Sequence, residues 1–281
     1  FTTVYLVQAR PASWLQSKID DTIELIPEST LYPKGRAVGE QTNRAEKDVS
    51  KLVATRAALE CLGYDADFTG DGARVDAVPS GSPSSGRLRA GDVITEVAGN
   101  RIELPSQISD ALSGRSPGQS VEVGFTRAGA PKTTTVTLGP SEDDARPPIL
   151  GVAVSAKSPR VSGPVRVEVD SGTVSGPSAG LAWTLAIIDR MTPGSLTGGG
   201  NVAVTGEMLP DGAVGQIGGI AQKVAAVKRA GVRTFLYPAA TPAAEQRRMR
   251  EIAGTSVALR PVRTLDEAVR ILDPQGVRCA E

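Results

Sequence analysis

The sequence predicts a mixed α/β (α+β) protein of two domains, on three observations. Residues 64–139 read as short strands separated by glycine- and serine-rich turns. Residues 149–281 instead alternate strand patterns with helical ones. Between them, residues 140–148 are charged and rich in proline, the composition of a linker. Residues 1–63 precede both domains as an entry strand and helices expected to pack against them.

Composition narrows the classes. With 31 basic and 31 acidic residues the formal net charge is zero, so no basic excess argues for a nucleic-acid partner or an anionic membrane surface. The 40% hydrophobic content suffices for real cores although aromatics are scarce at 4%. The longest apolar stretch, Ala179 to Ile188, is too short to span a bilayer. Two cysteines, Cys61 and Cys279, are too few for a disulfide scaffold and leave open one disulfide or two thiols. The chain starts at Phe1 rather than Met, which raises the expectation of a removed N-terminal segment.

Taken in order, Thr2 to Val7 is β-prone, and Val49, Leu52, Val53, Leu59 and Leu62 recur at helical spacing up to Gly63, placed to end that helix. Ala73 to Val78 is a strand. Gly91 to Gly99 alternates like a half-buried strand closed by a turn, and Pro105 to Leu112 is a short helix. Val121–Arg127 and Thr133–Leu138 form a hairpin around Ala128-Gly129. Beyond the linker, Val165 to Val169 is a strand and Ser178 to Met191 a buried helix. Asn201–Glu207 and Ala213–Ile217 pair through Leu209-Pro210-Asp211-Gly212. A helix over Gly219 to Ala230, a strand at Thr234–Tyr237, a basic helix after Thr241-Pro242 and a strand at Val257–Val262 follow. Thr264-Leu265-Asp266-Glu267 is a capping box opening the last helix.

Gly176-Pro177-Ser178-Ala179-Gly180 is the stretch with chemical potential. Its glycines allow a sharp turn and the close approach of a substrate carbonyl. Ser178 would lie at a helix N-terminus, where free N–H groups and the dipole favour a developing oxyanion. Because Pro177 has no N–H, the donors are sought at Ser178, Ala179 and the neighbouring glycines, Gly176 among them. Gly-x-Ser-x-Gly also fits a hydrolase nucleophile elbow, but the sequence holds no histidine. That excludes a Ser-His-Asp triad and His-ligated zinc within the chain, and no other metal site or cofactor motif stands out. The base for Ser178 is left to a lysine, a carboxylate or a terminal amine.

In the helix over Gly219 to Ala230, Ile220, Val224 and Val227 mark the inward stripe, and Lys223 falls on it. An inward lysine is costly unless it is paired or gives up its proton, and desolvation lowers its pKa as a general base requires. A snorkelling lysine, stem packed and head in water, fits the same periodicity.

Gly-Asp-Val-Ile-x-x-Val-x-Gly at Gly91 to Gly99, within the strand order of residues 64–139, resembles a PDZ domain. The resemblance implies a peptide-binding groove between the Ala73–Val78 strand and the Pro105–Leu112 helix, although the glycine–aromatic carboxylate loop of many PDZ domains is absent. Gly-Pro-Ser-Ala-Gly, then Thr205-Gly206-Glu207, then Val214-Gly215-Gln216-Ile217-Gly218-Gly219-Ile220-Ala221-Gln222-Lys223 resembles the proteolytic domain of Lon proteases. Together the two regions resemble the Lon-like, PDZ-containing serine peptidases of bacteria. By that resemblance Ser178 is the nucleophile, Lys223 its general base, and Thr205 a hydroxyl that orients the lysine.

The resemblance implies a Ser-Lys endopeptidase acting on peptides or unfolded protein segments, with a homo-oligomeric ring as the corresponding assembly. It also implies a cell-membrane location on the extracytoplasmic side, through an N-terminal anchor that this sequence lacks. The ATPase module of Lon proteases has no counterpart, since no Gly-x-x-x-x-Gly-Lys-Ser/Thr loop occurs, so hydrolysis is expected to be independent of ATP. The rival readings are a non-catalytic PDZ adaptor with a protease-like scaffold and a Ser-Lys hydrolase of small esters or amides.

Overall fold

A computed structural model describes residues 10, 13, 16–17, 23–32, 36–141, 147–172, 174 and 176–280. The strand expected at Thr2–Val7 lies outside the described residues. The chain forms two compact units: one from residues 1–67 with 161–281, the other from Phe68–Arg160.

In the first unit a single helical turn at Glu28–Leu31 is followed by α1 (Arg36–Cys61), which ends at Gly63, left-handed at φ 80°. Ser50, Ala54, Ala57, Ala58 and Cys61 are buried along α1, together with the larger Val53 and Leu59. Cys61 is disulfide-bonded to Cys279, so the helix end is tied to the C-terminal segment of the same unit.

The second unit is a sheet with one short helix. Its strands are β1 (Ala73–Ala77), β2 (Val93–Val97), β3 (Asn100–Arg101), β4 (Ser120–Arg127), β5 (Ala130–Thr137) and β6 (Ala153–Ala156), in the order β5-β4-β2-β1-β6 with β3 paired to β2. The helix is α2 (Ser106–Leu112). The β4–β5 hairpin turns on Ala128 and Gly129, both with positive φ (51° and 82°), the backbone a tight two-residue hairpin requires. Ile94, Val97, Val123, Val136 and Leu112 are buried in its core. Asp92 accepts two hydrogen bonds from Arg127 at 2.7 Å and one from the Arg89 N–H at 2.9 Å, which satisfies an almost fully buried carboxylate.

Two expectations change here. The chain does not leave this unit after Gly139: Gly139 and Ile149, which flank the 140–148 stretch, exchange backbone hydrogen bonds of 3.0 Å. The chain then returns as β6, antiparallel to β1, so the sheet extends beyond the 64–139 boundary. The groove expected beside Ala73–Val78 has no free strand edge, because β1 is paired with β2 on one side and β6 on the other. Among the described residues the outer strands of this sheet are β5 and β6.

After residue 161 the chain rejoins the first unit. Among the described residues, 163–172 carry no regular strand, so the one expected at Val165–Val169 is not seen there: the segment alternates in exposure without a partner strand among the described residues. Then come α3 (Gly180–Met191), β7 (Val202–Val204), β8 (Glu207–Met208), β9 (Val214–Gly215) and α4 (Ile220–Arg229). They are followed by β10 (Thr234–Pro238), α5 (Ala243–Ala253), β11 (Ala258–Val262) and α6 (Leu265–Leu272). β10 is the centre of a parallel sheet, β11-β10-β7, and α4 and α5 supply Val224, Val227 and Met249 to the core with Phe235 and Tyr237. The single strand expected over Asn201–Glu207 is two. It leaves the parallel sheet after Val204 and restarts at Glu207 in a hairpin with β9. The break falls at Thr205-Gly206, where Gly206 has φ 154° and a Cβ would meet Val214 at 2.7 Å.

Candidate active site

Three elements converge on Ser178. The serine lies in the turn just before α3, closed by the Gly180 N–H donating to the Pro177 carbonyl at 2.9 Å. Thr205 stands at the strand break, fully buried, its N–H bonded to the Leu236 carbonyl of β10 at 3.0 Å. Lys223 projects from the first turn of α4 and is only 3% exposed. The inward stripe forecast for that helix is present, with Ile220, Val224 and Val227 all buried.

The lysine does not snorkel. Its Nζ lies 2.9 Å from Ser178 Oγ and 2.9 Å from Thr205 Oγ1. Burial disfavours the ammonium, and the Lys223 pKa falls from 10.5 to about 8. The hydrogen bonds around Thr205 fix the direction of this triangle. Thr205 Oγ1 donates its one proton to the Ser178 carbonyl at 3.1 Å, so it must accept from Lys223. A neutral amine that gives one N–H to Thr205 has its lone pair left for the Ser178 hydroxyl.

The backbone of Ser178 is held as well. Its carbonyl also accepts the Gly206 N–H at 3.0 Å, while the Gly206 carbonyl accepts the Leu181 N–H at 3.0 Å. The glycine at the strand break thus binds both sides of the nucleophile turn. A trans peptide points its N–H opposite to its carbonyl, so the Ala179 N–H points away from Thr205 and Gly206. It finds no acceptor among the described residues. Gly176, expected among the oxyanion donors, is differently engaged: its N–H donates to the Asn43 carbonyl at 3.2 Å, and its φ of 79° makes the turn.

Residues 160–272 match the family model for the Lon protease (S16) C-terminal proteolytic domain. Residues 47–138 match the model for the PDZ domain. The chain joins a Lon-type proteolytic domain to a PDZ domain. The Lon protease of Elusimicrobium minutum is 39% identical over 101 residues, which are 36% of this chain and 12% of that protein. The Lon protease of Roseiflexus castenholzii is 37% identical over 115 residues, 40% of this chain and 14% of that protein. The chain therefore spans a small part of these relatives' length. A PDZ domain of the SdrC-like protein from Listeria monocytogenes is 25% identical and covers 30% of this chain and 87% of that one, with a TM-score of 0.28. The PDZ assignment rests on the family model rather than on this likeness.

Ser178, Thr205 and Lys223 all fall within the Lon-type match. Two further features of this domain went unread in the sequence. Gly206 was visible only as part of Thr-Gly-Glu, although a glycine between two strand patterns is a signal for a break or close backbone approach. Glu207, next along, is half-buried, and burial together with the nearby Glu46 charge raises its pKa. Among the described residues no cluster of His, Cys, Asp and Glu could hold a metal ion, and no helix is long and apolar enough to cross a membrane.

Proposed function

We propose that this chain is a serine endopeptidase in which Ser178 is the nucleophile and Lys223 the general base, acting without ATP on peptides or unfolded protein segments. The observation that carries the reading is the 2.9 Å contact of a buried lysine, its pKa drawn down to about 8, with the Ser178 hydroxyl. Neutral Lys223 takes the Ser178 proton as Oγ attacks a peptide carbonyl carbon. The tetrahedral oxyanion is met by the Ala179 N–H and the Ser178 N–H, and Gly176 takes no part in holding it. As the intermediate collapses, the Lys223 ammonium protonates the departing amine and leaves an ester on Ser178. A water then gives its proton to Lys223 and attacks that ester, and Lys223 returns the proton to Ser178 Oγ as the acid leaves, restoring both groups.

Thr205 positions the amine throughout, because its hydroxyl has no other proton to give and accepts from Lys223 in each state. The PDZ unit would take an extended peptide as an added strand along β6, a reading supported by its position at the end of the sheet. The disulfide between Cys61 and Cys279 supports an oxidising compartment, in keeping with an anchored, extracytoplasmic enzyme.

The test is hydrolysis of an unfolded protein by the full chain, with and without ATP, and by Ser178→Ala and Lys223→Ala. Cleavage by the wild type alone, unchanged by nucleotide, supports the proposal; cleavage that survives Lys223→Ala removes the lysine from it.

A further inference from the structure

Helix α1 precedes the Lon-type match, yet it belongs to the same compact unit and lies against the nucleophile turn. Two turns of the helix separate Asn43 from Ser50, and both reach the turn. The Asn43 carbonyl accepts the Gly176 N–H at 3.2 Å. The Ser50 hydroxyl, 4% exposed, donates to the Pro177 carbonyl at 3.2 Å across 127 residues of sequence. One turn further on, Ala54 packs with Ala179 and Trp183. Ser50 also limits Gly180, where a Cβ would stand 2.8 Å from its Oγ.

These contacts lie on both flanks of Ser178 and leave the serine side chain itself untouched. The Pro177 carbonyl belongs to the rigid peptide plane that ends in the Ser178 N–H. Holding that oxygen toward α1 fixes the plane, and with it the direction of the Ser178 N–H and the origin of its side chain. The following plane is held from the opposite side, through the Ser178 carbonyl, by Thr205 and Gly206. We infer that Ser50 is a positioning residue for Ser178, setting the nucleophile from a helix outside the Lon-type match.

This rests on the Ser178–Lys223 reading given above. A buried serine beside Val53, Ala54 and Ala57 would otherwise serve only to fill space. A filler would be replaced by alanine without kinetic effect, since alanine favours a helix more than serine does and the Pro177 carbonyl keeps its bond to the Gly180 N–H.

The experiment compares peptide hydrolysis by wild type, Ser50→Ala, Ser50→Thr and Lys223→Ala in the full chain. Loss of one orienting hydrogen bond should lower kcat about tenfold in Ser50→Ala, with KM and the pH midpoint near 8 unchanged because the lysine is not touched. Ser50→Thr keeps the donor and should recover most of that loss. Wild-type kcat in Ser50→Ala, or equal losses in both Ser50 variants, would overturn the inference and leave a packing role. If Ser50→Ala does not fold, Ser50→Thr still decides: near-wild-type kcat supports the inference, and a loss as large as tenfold sinks it. Activity in Lys223→Ala instead marks failure of the Ser–Lys reading, whatever the Ser50 variants do.

Discussion

Replacing Lys223 by methionine should stabilise the protein while abolishing hydrolysis, and the size of the gain should depend on pH. A lysine whose pKa falls from 10.5 unfolded to about 8 folded costs stability at every pH where the unfolded chain holds the proton. The cost is greatest below the folded pKa, where both states are protonated but only the folded one pays desolvation. It disappears as pH rises through the window from about 8 to 10.5. At pH 6.5 it amounts to about 3 kcal/mol, and at pH 9.5 to about 1 kcal/mol. Methionine has similar length, no charge and no need of an acceptor, and the Thr205 proton stays on the Ser178 carbonyl. Urea unfolding of wild type and Lys223→Met at both pH values measures the difference. The advantage of the variant should shrink by about 2 kcal/mol between pH 6.5 and 9.5. An advantage independent of pH, or a destabilised variant at pH 6.5, would refute the claim that burial has lowered this pKa.

The remaining expectations concern the same triangle. Acylation of Ser178 should rise about tenfold per pH unit below about 8 and level off above it, in single-turnover assays; a flat profile from pH 6 to 9 would contradict a lysine base. Thr205→Val removes the acceptor that orients Lys223 and should lower kcat at least about tenfold, with KM little changed. Gly206→Ala adds a Cβ at 2.7 Å from Val214 in a backbone of φ 154°, and should destabilise the protein by about 2 kcal/mol or more, read by thermal unfolding. Unchanged melting there would mean that the strand break tolerates a side chain.

Local pattern carried a good deal of this structure. The inward stripe of α4 singled out Lys223 because an amphipathic helix places i, i+4 and i+7 on one face, and Lys223 has indeed 3% exposure. Ala128-Gly129 announced its hairpin because two consecutive left-handed residues are rare outside such turns. Pairings across long stretches of sequence were hidden. β6 joins β1 only after the chain has completed most of the sheet, and nothing in the composition of 140–148 shows that the residues flanking it belong to one sheet. The strand break at Thr205-Gly206 was hidden because Val202–Val204 and Glu207–Met208 sit two residues apart in sequence yet pair with different strands. The same limit applies to the nucleophile turn. Ser178 was legible from its glycines, whereas its support from Ser50 depends on a contact spanning 127 positions. Gly176 shows the converse error, since proximity in sequence to Ser178 made its N–H a candidate donor while the fold directs it to Asn43.

The most direct measurement of the central claim is the rate at which a peptide phosphonate labels the chain, followed by mass spectrometry of the modified peptide in wild type and Lys223→Ala at pH 8. The account expects one phosphonate on Ser178 in the wild type, and labelling at least about a hundredfold slower without the lysine. Labelling at another residue, or equal rates in the two proteins, would contradict it.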